Sequence, residues 1–494
     1  MGIEQAGRDS RRKYPARGGP HAGSRADGSG GGDPFGVTPH ERTATRIGQR
    51  NRSEVMSSGL APRHRLALAL TVEVAFNLWT WSTRHAPLGT LAGIAPATFF
   101  AMPCFKYETL RCEALPVACT LPGMVPYGSF MKAILVIGGG SSGVELARAL
   151  DDAGLDVTLV TRNPTFFWAI GALRAAVEPA WVRRLFIPYD TLMRRGRVVT
   201  GTVTALTDTQ ALLDDGTVLA FDTAVIATGS AVPFPAWPRA GRVAEAEAEY
   251  ATLAERIATA GHVAVIGGGP VGIELAGEIT GAHPGKAVTL VESSPTLIGR
   301  YTSPRFGASL QRKLVRLGVT VLTGVSVVSA LDEAPVRLAD GRVIGADVVL
   351  DATGGRPNTG FLRPGLGDDL DAAGRVIVEA TMQVRGHPSL YAMGDVVAND
   401  EPKTAIVAVA HAKVVARNIL ARSRGELPKA MHRARPRAMM LVPLGKTGGA
   451  AHLPVLGGIV LGDFAGRMKG KDLFVPRAWA KLRAVMPDTG SIGP

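Results

Sequence analysis

The sequence predicts an α/β protein with two Rossmann-like dinucleotide-binding units, the second inserted into the first, and a small C-terminal domain. The main observation is a near-repeat, with VIGGGSSGVELARAL at 136–150 and VIGGGPVGIELAGEI at 265–279. The second is a stretch of apolar residues that leads into an Ala-Thr-Gly (A-T-G) turn after each copy of the repeat, at 223–230 and 347–355. The third is composition, because 60 of the 494 residues are glycine and 20% are charged, which is typical of a glycine-rich folded protein.

Charge and cysteine content exclude several function classes. The formal net charge is +13, but the cations are spread along the chain without a nucleic-acid-binding motif, so we expect no nucleic-acid partner. The three cysteines are Cys104, Cys112 and Cys119, all before Met131. A disulfide scaffold, a thiolate metal site and a redox-active CxxC pair are therefore excluded from the region with the repeats. We expect no metal site.

The first 130 residues differ in character from the rest. Residues 1–62 are rich in Gly, Arg, Ser and Pro, a composition that predicts disorder. The uncharged run Ala86–Phe105 is interrupted by three prolines, so we expect no membrane span there. Because Met131 opens the run MKAILVIGGG, one hypothesis is that translation starts at Met131, and the alternative is a genuine, poorly ordered extension.

Each copy of the repeat predicts a strand, a tight turn, a helix and a second strand. The first glycine allows the turn, the second lets backbone approach a pyrophosphate, and the third lets the helix pack on the strand. These positions are Gly138, Gly140 and Gly143 in the first copy and Gly267, Gly269 and Gly272 in the second. Two such units predict two bound dinucleotides. One flavin and one nicotinamide would have redox chemistry together, whereas two nicotinamides would not.

The end of the second strand in each unit indicates how the ribose is bound. Glu292 lies 20 residues after Gly272, where a carboxylate binds ribose hydroxyls and repels a 2′-phosphate. This favours NADH, although Arg300 is close enough in sequence to leave NADPH open. In the first copy the matching residue is Thr161, which is followed by Arg162. A threonine hydroxyl binds a ribose less strongly than a carboxylate does.

Three further turns should approach the cofactors. Ala227, Thr228 and Gly229 form the first A-T-G turn, and Gly354 ends the second. Gly394 and Asp395 follow a short strand and should precede a helix, so that the Asp395 carboxylate accepts hydrogen bonds from a ribitol chain while the helix N-terminus faces a phosphate.

The order of these motifs resembles the two-dinucleotide-binding-domain flavoproteins of the pyridine nucleotide-disulfide oxidoreductase superfamily, over residues 131 to about 425. The resemblance implies that the first glycine motif, with Asp395, holds FAD, and that the second, with Glu292, holds NADH. It divides the chain into an extension (1–130), an FAD-binding domain in two parts (131–240 and 353–425), an NAD(P)H-binding domain (241–352) and a C-terminal domain (426–494).

Without a cysteine pair, the chain resembles the branch that passes electrons directly from flavin to an acceptor. Segments 166–178, 227–235, 401–419 and 469–479 are similar to the apoptosis-inducing-factor-like members that reduce quinones. The implied reaction is hydride transfer from NADH to FAD, followed by electron transfer to a quinone. The alternatives are a reductase for a small electron-transfer protein and a redox-sensing flavoprotein that does not turn over.

Four side chains are candidates for chemistry. The resemblance implies that Glu274 is functionally important and that Lys403 lies beside the flavin, where a cation stabilises a reduced ring or a quinone oxyanion. Glu278, one helical turn after Glu274, is a further candidate to face the nicotinamide. His411 is either a proton donor to quinone or a hydrogen-bonded structural histidine.

The C-terminal tail is basic and partly aromatic. Six cations in 467–483 are interleaved with leucine, phenylalanine, valine and tryptophan. The tail therefore either docks on an anionic membrane surface, where a quinone would be found, or packs on the protein's own sheet. We expect a cytoplasmic protein, and the sequence leaves its oligomeric state open.

Overall fold

The structure is a computed structural model that describes residues 133–487 except 332, 436, 438 and 455–457. The expectations for residues 1–130 and for Met131 lie outside the described residues. In chain order the described strands are β1 (Ile134–Ile137), β2 (Val157–Thr161), β3 (Thr165–Phe167), β4 (Phe186–Pro188), β5 (Arg197–Thr200), β6 (Val203–Leu206), β7 (Gln210–Leu213), β8 (Val218–Ala220), β9 (Thr223–Ile226), β10 (Ser230–Ala231), β11 (His262–Ile266), β12 (Ala287–Glu292), β13 (Val319–Thr323), β14 (Val336–Arg337), β15 (Val343–Ile344), β16 (Val348–Asp351), β17 (Arg356–Pro357), β18 (Gln383–Val384), β19 (His387–Ala392), β20 (Met440–Leu444), β21 (Gly448–Leu453) and β22 (Ile459–Leu461).

The helices connect these strands and cover the sheets. They are α1 (Ser141–Asp152), α2 (Ala172–Ala175), α3 (Val243–Thr259), α4 (Pro270–Ala282), α5 (Pro304–Arg316), α6 (Arg363–Leu366), α7 (Ala405–Ser423), α8 (Asp463–Gly470) and α9 (Val475–Lys481). Short 3-10 turns include Pro179–Leu185 and Gly394–Val396.

Two parallel sheets form the body of the described chain. The first has the order β18-β19-β9-β1-β2-β5, in which only β18 is antiparallel to its neighbour. The second has the order β13-β12-β11-β16 and is fully parallel. Every residue of β1 is buried, as expected for a strand that is covered on both faces. The predicted α/β class with two Rossmann-like units is confirmed.

The strand register brings the predicted motifs to one edge of each sheet. Ile137, the last residue of β1, pairs with Val160 and Ile226 on its two sides. Ile266, the last residue of β11, pairs with Val291 and Asp351 in the same way. Because the carboxyl ends of parallel strands meet at one edge, the turns after them form a common crevice.

The chain passes between the two sheets through a pair of short antiparallel strands, β10 and β17. Side chains reinforce this crossing. The Thr228 hydroxyl donates to the Asn358 carbonyl at 2.7 Å, and the Asn358 amide donates to the Thr228 carbonyl at 3.0 Å. The first A-T-G turn is therefore bonded to the segment by which the chain returns.

The C-terminal region begins with the antiparallel sheet β20-β21-β22. This sheet packs on α4, where a Cβ at Gly277 would lie 2.7 Å from the Cα of Leu444. Only glycine permits this close approach of strand to helix.

The end of the tail packs against the protein itself. The indole of Trp168 donates to the Leu473 carbonyl at 2.8 Å, and the indole of Trp479 donates to the Arg184 carbonyl at 2.9 Å. The Lys481 ammonium lies 3.1 Å from a Glu145 carboxylate oxygen. These contacts favour the second alternative for the tail, packing on the body of the protein. Among residues 133–487, as far as they are described, we find no helix with the length and apolarity needed to span a bilayer.

Candidate functional site

The first glycine of each motif holds its turn in a backbone conformation that favours glycine. Gly138 and Gly267 both have φ +112°. A Cβ at Gly267 would lie 2.5 Å from the carbonyl oxygen of Ala352, and one at Gly138 would collide with the carbonyl oxygen of Ala227. The A-T-G turns therefore sit directly against the glycine motifs in both units.

The third and second glycines differ sharply in their surroundings. A Cβ at Gly143 would collide with the Gly138 carbonyl oxygen, and the equivalent collision occurs within the second motif at Gly272. By contrast, a Cβ at Gly140 or Gly269 would meet no atom within 4 Å. The third position thus serves helix packing, whereas the second faces open space.

That open space lies at the N-termini of two helices. Gly140 and Gly269 are the N-cap residues of α1 and α4, and neither helix has a side-chain cap or an acidic residue in its first turn. The unsatisfied first-turn N–H groups and the positive end of the helix dipole are a binding site for a phosphate group. The residues present therefore fit a pyrophosphate at both motifs.

Glu292 lies at the second glycine turn. Its Oε2 accepts the Gly268 N–H at 2.6 Å, and its Oε1 accepts the Ser294 N–H at 2.6 Å. The Ser293 hydroxyl also donates to Oε1, at 3.3 Å, so Oε2 is the oxygen that retains acceptor capacity for a ribose hydroxyl. Arg300, which left NADPH open, instead pairs with Asp400, with 3.2 Å between Nη2 and Oδ1.

A threonine and a tyrosine occupy the equivalent place in the first unit. Thr161 is buried and is followed by a turn in which its hydroxyl donates to the Asn163 carbonyl at 3.4 Å. The Tyr189 hydroxyl donates to the Gly139 carbonyl at 2.8 Å, and burial raises the pKa of this phenol. Tyr189 was not among the sequence candidates, because no local pattern places it at the glycine turn.

The turn at Gly394–Asp395 lies beside the first glycine motif. Gly394 has φ +80°, and a Cβ there would be 3.1 Å from Ser142 Oγ in α1. The Ser230 hydroxyl donates to Asp395 Oδ2 at 3.3 Å. Burial raises the pKa of Asp395, and the nearby Lys403 ammonium opposes that shift. The structure thus brings Asp395, the first glycine motif and the end of β9 together.

The helix expected after Asp395 is α7, which begins at Ala405. Gly394–Val396 forms a single 3-10 turn, and α7 begins at Ala405, capped by the Thr404 hydroxyl, which accepts the Val407 N–H at 3.4 Å. A helix therefore follows the turn, and an intervening loop with its own hydrogen bonds separates the two.

The glycines of the two A-T-G turns adjoin open space, whereas Ala227 is buried. Gly229 and Gly354 have φ +64° and +107°, and a Cβ at either would meet no atom within 4 Å. The Ala227 N–H donates to the Ile137 carbonyl at 2.8 Å. The Thr228 hydroxyl is already engaged by Asn358, so this residue offers a cofactor mainly its backbone.

Lys403 belongs to the loop between the Gly394–Asp395 turn and α7. Its ammonium donates to the Val397 carbonyl at 2.7 Å and to Asn399 Oδ1 at 2.9 Å. Partial burial lowers the pKa of Lys403, an effect that Asp395 opposes. The loop therefore holds a cation within electrostatic range of Asp395.

His411 is fully buried and makes two hydrogen bonds. Its Nδ1 accepts the Gly394 N–H at 3.1 Å, so the proton of the neutral ring is on Nε2, which lies 3.1 Å from Glu401 Oε2. Burial lowers the pKa of His411 to about 4. This arrangement favours the structural alternative for His411, since a neutral ring with both nitrogens engaged supports the Gly394–Asp395 turn.

A second histidine completes this cluster. Glu401 Oε2 also lies 2.7 Å from His432 Nε2, and ligand atoms of Glu401, His411 and His432 all lie within 4.8 Å of one another. A metal bound to His411 Nε2 would require an imidazolate ring, because Nδ1 is an acceptor for Gly394. We therefore interpret the three residues as a hydrogen-bonded cluster.

The candidate acids of α4 lie in a buried network of opposite charges. Glu274 Oε1 accepts a hydrogen bond from the Lys469 ammonium at 2.6 Å. Glu278 accepts from the Arg174 guanidinium through both oxygens, at 2.9 and 3.2 Å. Arg174 also donates to the Gly470 carbonyl at 2.7 Å. Burial raises the pKa of Glu274, and Lys469 opposes this shift.

Arg174 and Lys469, the partners of these acids, were not among the residues predicted from the sequence. Both lie in segments that were singled out by resemblance, 166–178 and 469–479, so a charged residue within each was a usable signal. Their pairing with α4 could not be read from spacing, because it depends on three segments meeting in the fold.

Comparison with known proteins places these features in context. Residues 188–412 match the family described as pyridine nucleotide-disulphide oxidoreductase, and residues 133–172 match a second family of that description. Ferroptosis suppressor protein 1 of Xenopus laevis is 32% identical over 376 residues, covering 72% of this chain and 96% of the relative. Apoptosis-inducing factor homolog B of Dictyostelium discoideum is 30% identical over 383 residues, covering 72% and 98%.

A solved structure supports the fold. The sulfide:quinone oxidoreductase of Aquifex aeolicus is similar with a TM-score of 0.58 and 18% sequence identity, covering 73% of this chain and 94% of that chain. At this level of identity the likeness concerns the fold alone.

Proposed function

The chain belongs to the pyridine nucleotide-disulphide oxidoreductase family, and we propose that it is an FAD-dependent NADH:quinone oxidoreductase without a redox disulfide. Membership confirms the resemblance that the order of motifs indicated. The observation that carries the proposal is the duplicated cradle, in which Gly140 and Gly269 each leave a helix N-terminus open. We also propose the domain division 131–240 with 353–425, 241–352 and 426–494. Each glycine motif begins one dinucleotide-binding unit, and the separate sheet β20-β21-β22 lies in the last domain.

The first cradle is the proposed FAD site. Gly138, Gly140 and Gly143 position α1 toward the pyrophosphate, and the Gly394–Asp395 turn lies beside it. His411 holds that turn through the Gly394 N–H. We therefore treat His411 as a positioning residue, and Asp395 as the group that binds the ribitol.

The second cradle is the proposed NADH site. The Glu292 carboxylate lies at the glycine turn, held by the N–H groups of Gly268 and Ser294. A 2′-phosphate in this place would approach a carboxylate, which supports NADH over NADPH.

The acceptor is proposed from what the sequence lacks and from its resemblance to the apoptosis-inducing-factor-like members that reduce quinones. No cysteine follows Cys119, so the catalytic region has no dithiol to receive electrons. When bound, the two cofactors supply two-electron transfer from nicotinamide through flavin. Lys403 holds a cation near Asp395, where it would stabilise negative charge on an acceptor. Glu274, with its raised pKa and its Lys469 partner, is the proposed buried acid of the site.

Steady-state turnover tests this function. The purified full chain should show a flavin spectrum and should oxidise NADH rapidly with a short-chain ubiquinone analogue. The matched comparison uses a [2Fe–2S] ferredoxin as the acceptor in the same assay. Fast reduction of the ferredoxin with slow reduction of the quinone would contradict the quinone as acceptor, and an absence of flavin would contradict the whole proposal.

A further inference from the structure

A short surface segment between α7 and β20 exposes large apolar side chains. We call the described residues of this stretch, 427–435, 437 and 439, the basic segment. Leu427 is 66% exposed, Met431 65% and Met439 44%. Single exposed apolar residues are common on protein surfaces, but several within one short segment indicate a surface that contacts something else.

The same segment is strongly and uniformly positive. No aspartate or glutamate lies between 427 and 439. Arg433, Arg435 and Arg437 are exposed, and within the described part of the chain no carboxylate lies within ion-pair distance of their guanidinium groups. Arg424, just before the segment, instead pairs with Glu426, with 2.8 Å between Nε and Oε1.

Hydrogen bonds hold the basic segment beside the proposed flavin site. Glu401 Oε1 accepts the Arg435 N–H at 2.8 Å, and Glu401 Oε2 lies 2.7 Å from His432 Nε2. The same carboxylate meets His411, which supports the Gly394 turn. The segment is thus fixed on the surface next to the loop that carries Lys403.

We propose that the basic segment docks the protein on an anionic lipid bilayer. Its arginines would contact lipid phosphates and its leucine and methionines would enter the interfacial region, the composition that peripheral binding requires. The choice of a lipid surface rests on the proposed function, because a membrane is the source of a long-chain quinone. The C-terminal tail is a poorer candidate, since Lys469 and Lys481 are paired with Glu274 and Glu145.

Two other partners fit the segment less well. A single-stranded nucleic acid would be expected to stack on aromatic side chains, and 427–439 contains none. An acidic protein would complement the arginines, but it gives no reason for Leu427 and Met431 to be the most exposed apolar residues of the segment. The lipid surface accounts for both the charge and the apolar exposure.

Vesicle sedimentation with the full chain tests the proposal. Wild-type protein should bind phosphatidylcholine vesicles that contain phosphatidylglycerol, and should bind pure phosphatidylcholine weakly. The variant Arg433→Gln/Arg435→Gln/Arg437→Gln should lower the partition coefficient roughly a hundredfold. A second variant, Leu427→Ser/Met431→Ser, should lower it without changing the net charge.

The control removes equal charge elsewhere. Arg305, Arg312 and Arg316 are exposed on α5, and changing all three to glutamine should leave vesicle binding nearly unchanged. Equal losses in the two triple variants, or no binding by wild type at low salt, would overturn the proposal. Retention of wild type on a ferredoxin column with no vesicle binding would also overturn it and would assign the segment to an acidic protein.

The result is separable from the proposed function. Turnover of a short-chain quinone in solution needs no membrane, so the basic-segment variants should keep the wild-type rate in that assay while losing the vesicle-bound fraction. Failure of wild type to reduce the soluble quinone would contradict the function and would leave the binding measurement to be judged on its own.

Discussion

Glu274 and Lys469 form a buried ion pair, with 2.6 Å between Oε1 and Nζ, although 195 residues separate them in the chain. The pair connects α4, which begins at the second glycine motif, to α8 in the C-terminal region. Arg174 and Glu278 add a second pair beside it. The C-terminal region is therefore bound to the proposed NADH unit through charges as well as through apolar packing.

Lys469→Met should destabilise the fold, because it leaves the Glu274 carboxylate buried without its partner. We expect a loss of about 3 kcal/mol in the free energy of unfolding near neutral pH. Burial raises the folded-state pKa of Glu274, so the folded chain holds this proton more tightly than the unfolded chain. The stability that Glu274 contributes therefore falls as pH rises. The loss in Lys469→Met should therefore be smaller at acidic pH, where Glu274 is protonated. Urea unfolding at several pH values measures this dependence. Lys469→Arg keeps the charge and should lose much less of the free energy of unfolding. Equal losses in the two variants would mean that the ion pair does not stabilise the fold.

His411→Asn tests the structural role of His411. The folded-state pKa is about 4, below the unfolded value, so the unfolded chain binds a proton that the folded chain does not. Stability from this residue is therefore lost as pH falls from about 6.5 toward the folded value. The variant keeps an acceptor for the Gly394 N–H, and we expect its free energy of unfolding to depend less on pH, by up to about 3 kcal/mol.

The kinetics of the same variant distinguish a structural His411 from a His411 that donates a proton to quinone. Because His411 is a positioning residue, the pH profile of kcat with a soluble quinone should keep its shape in His411→Asn. Loss of one limb of that profile would show that His411 carries a proton in turnover.

The second glycines should separate the two cofactors. Gly140→Ala and Gly269→Ala add a methyl group to open space at ordinary φ values of −78° and −75°, so both variants should fold. We expect Gly140→Ala to lose FAD, and Gly269→Ala to keep FAD but bind NADH at least tenfold more weakly. Flavin content and NADH titration measure these effects.

Two controls bracket that result. Gly367→Ala also meets open space and should change neither cofactor. Gly143→Ala should fail to fold, because its Cβ would collide with the Gly138 carbonyl. Loss of FAD in Gly269→Ala with retention in Gly140→Ala would reverse the assignment of the two units.

Glu292→Gln should shift nucleotide preference. The amide keeps an acceptor oxygen but removes the negative charge beside the ribose, so NADPH is no longer repelled. We expect the ratio of kcat/KM for NADPH to that for NADH to rise about tenfold or more. An unchanged ratio in paired assays would mean that Glu292 lies away from the ribose.

The sequence was sufficient to predict the elements whose structure depends on local backbone geometry and burial. The glycine at 138, the apolar strand before it and the helix after it are dictated by backbone geometry and burial, and β1, α1, β11 and α4 appear where the repeat predicts them. The end of β12 at Glu292 follows from the same spacing.

Long-range partners were beyond sequence reasoning. The pairings of Glu278 with Arg174 and of Glu401 with His432 depend on segments far apart in the chain that meet only after folding. The basic composition of the tail suggested a membrane surface, yet Lys481 pairs with Glu145 and Trp479 is buried. Charge and hydrophobicity in a sequence do not reveal which neighbours will neutralise or cover them.

An anaerobic titration of the full chain tests the central claim most directly. NADH should bleach the flavin absorbance with close to one equivalent per flavin, and a short-chain quinone added afterwards should restore it. That result would establish electron flow from the second cradle through the first to the acceptor. A chain without flavin, or a bound flavin that NADH does not bleach, would contradict the assignment of the two glycine motifs.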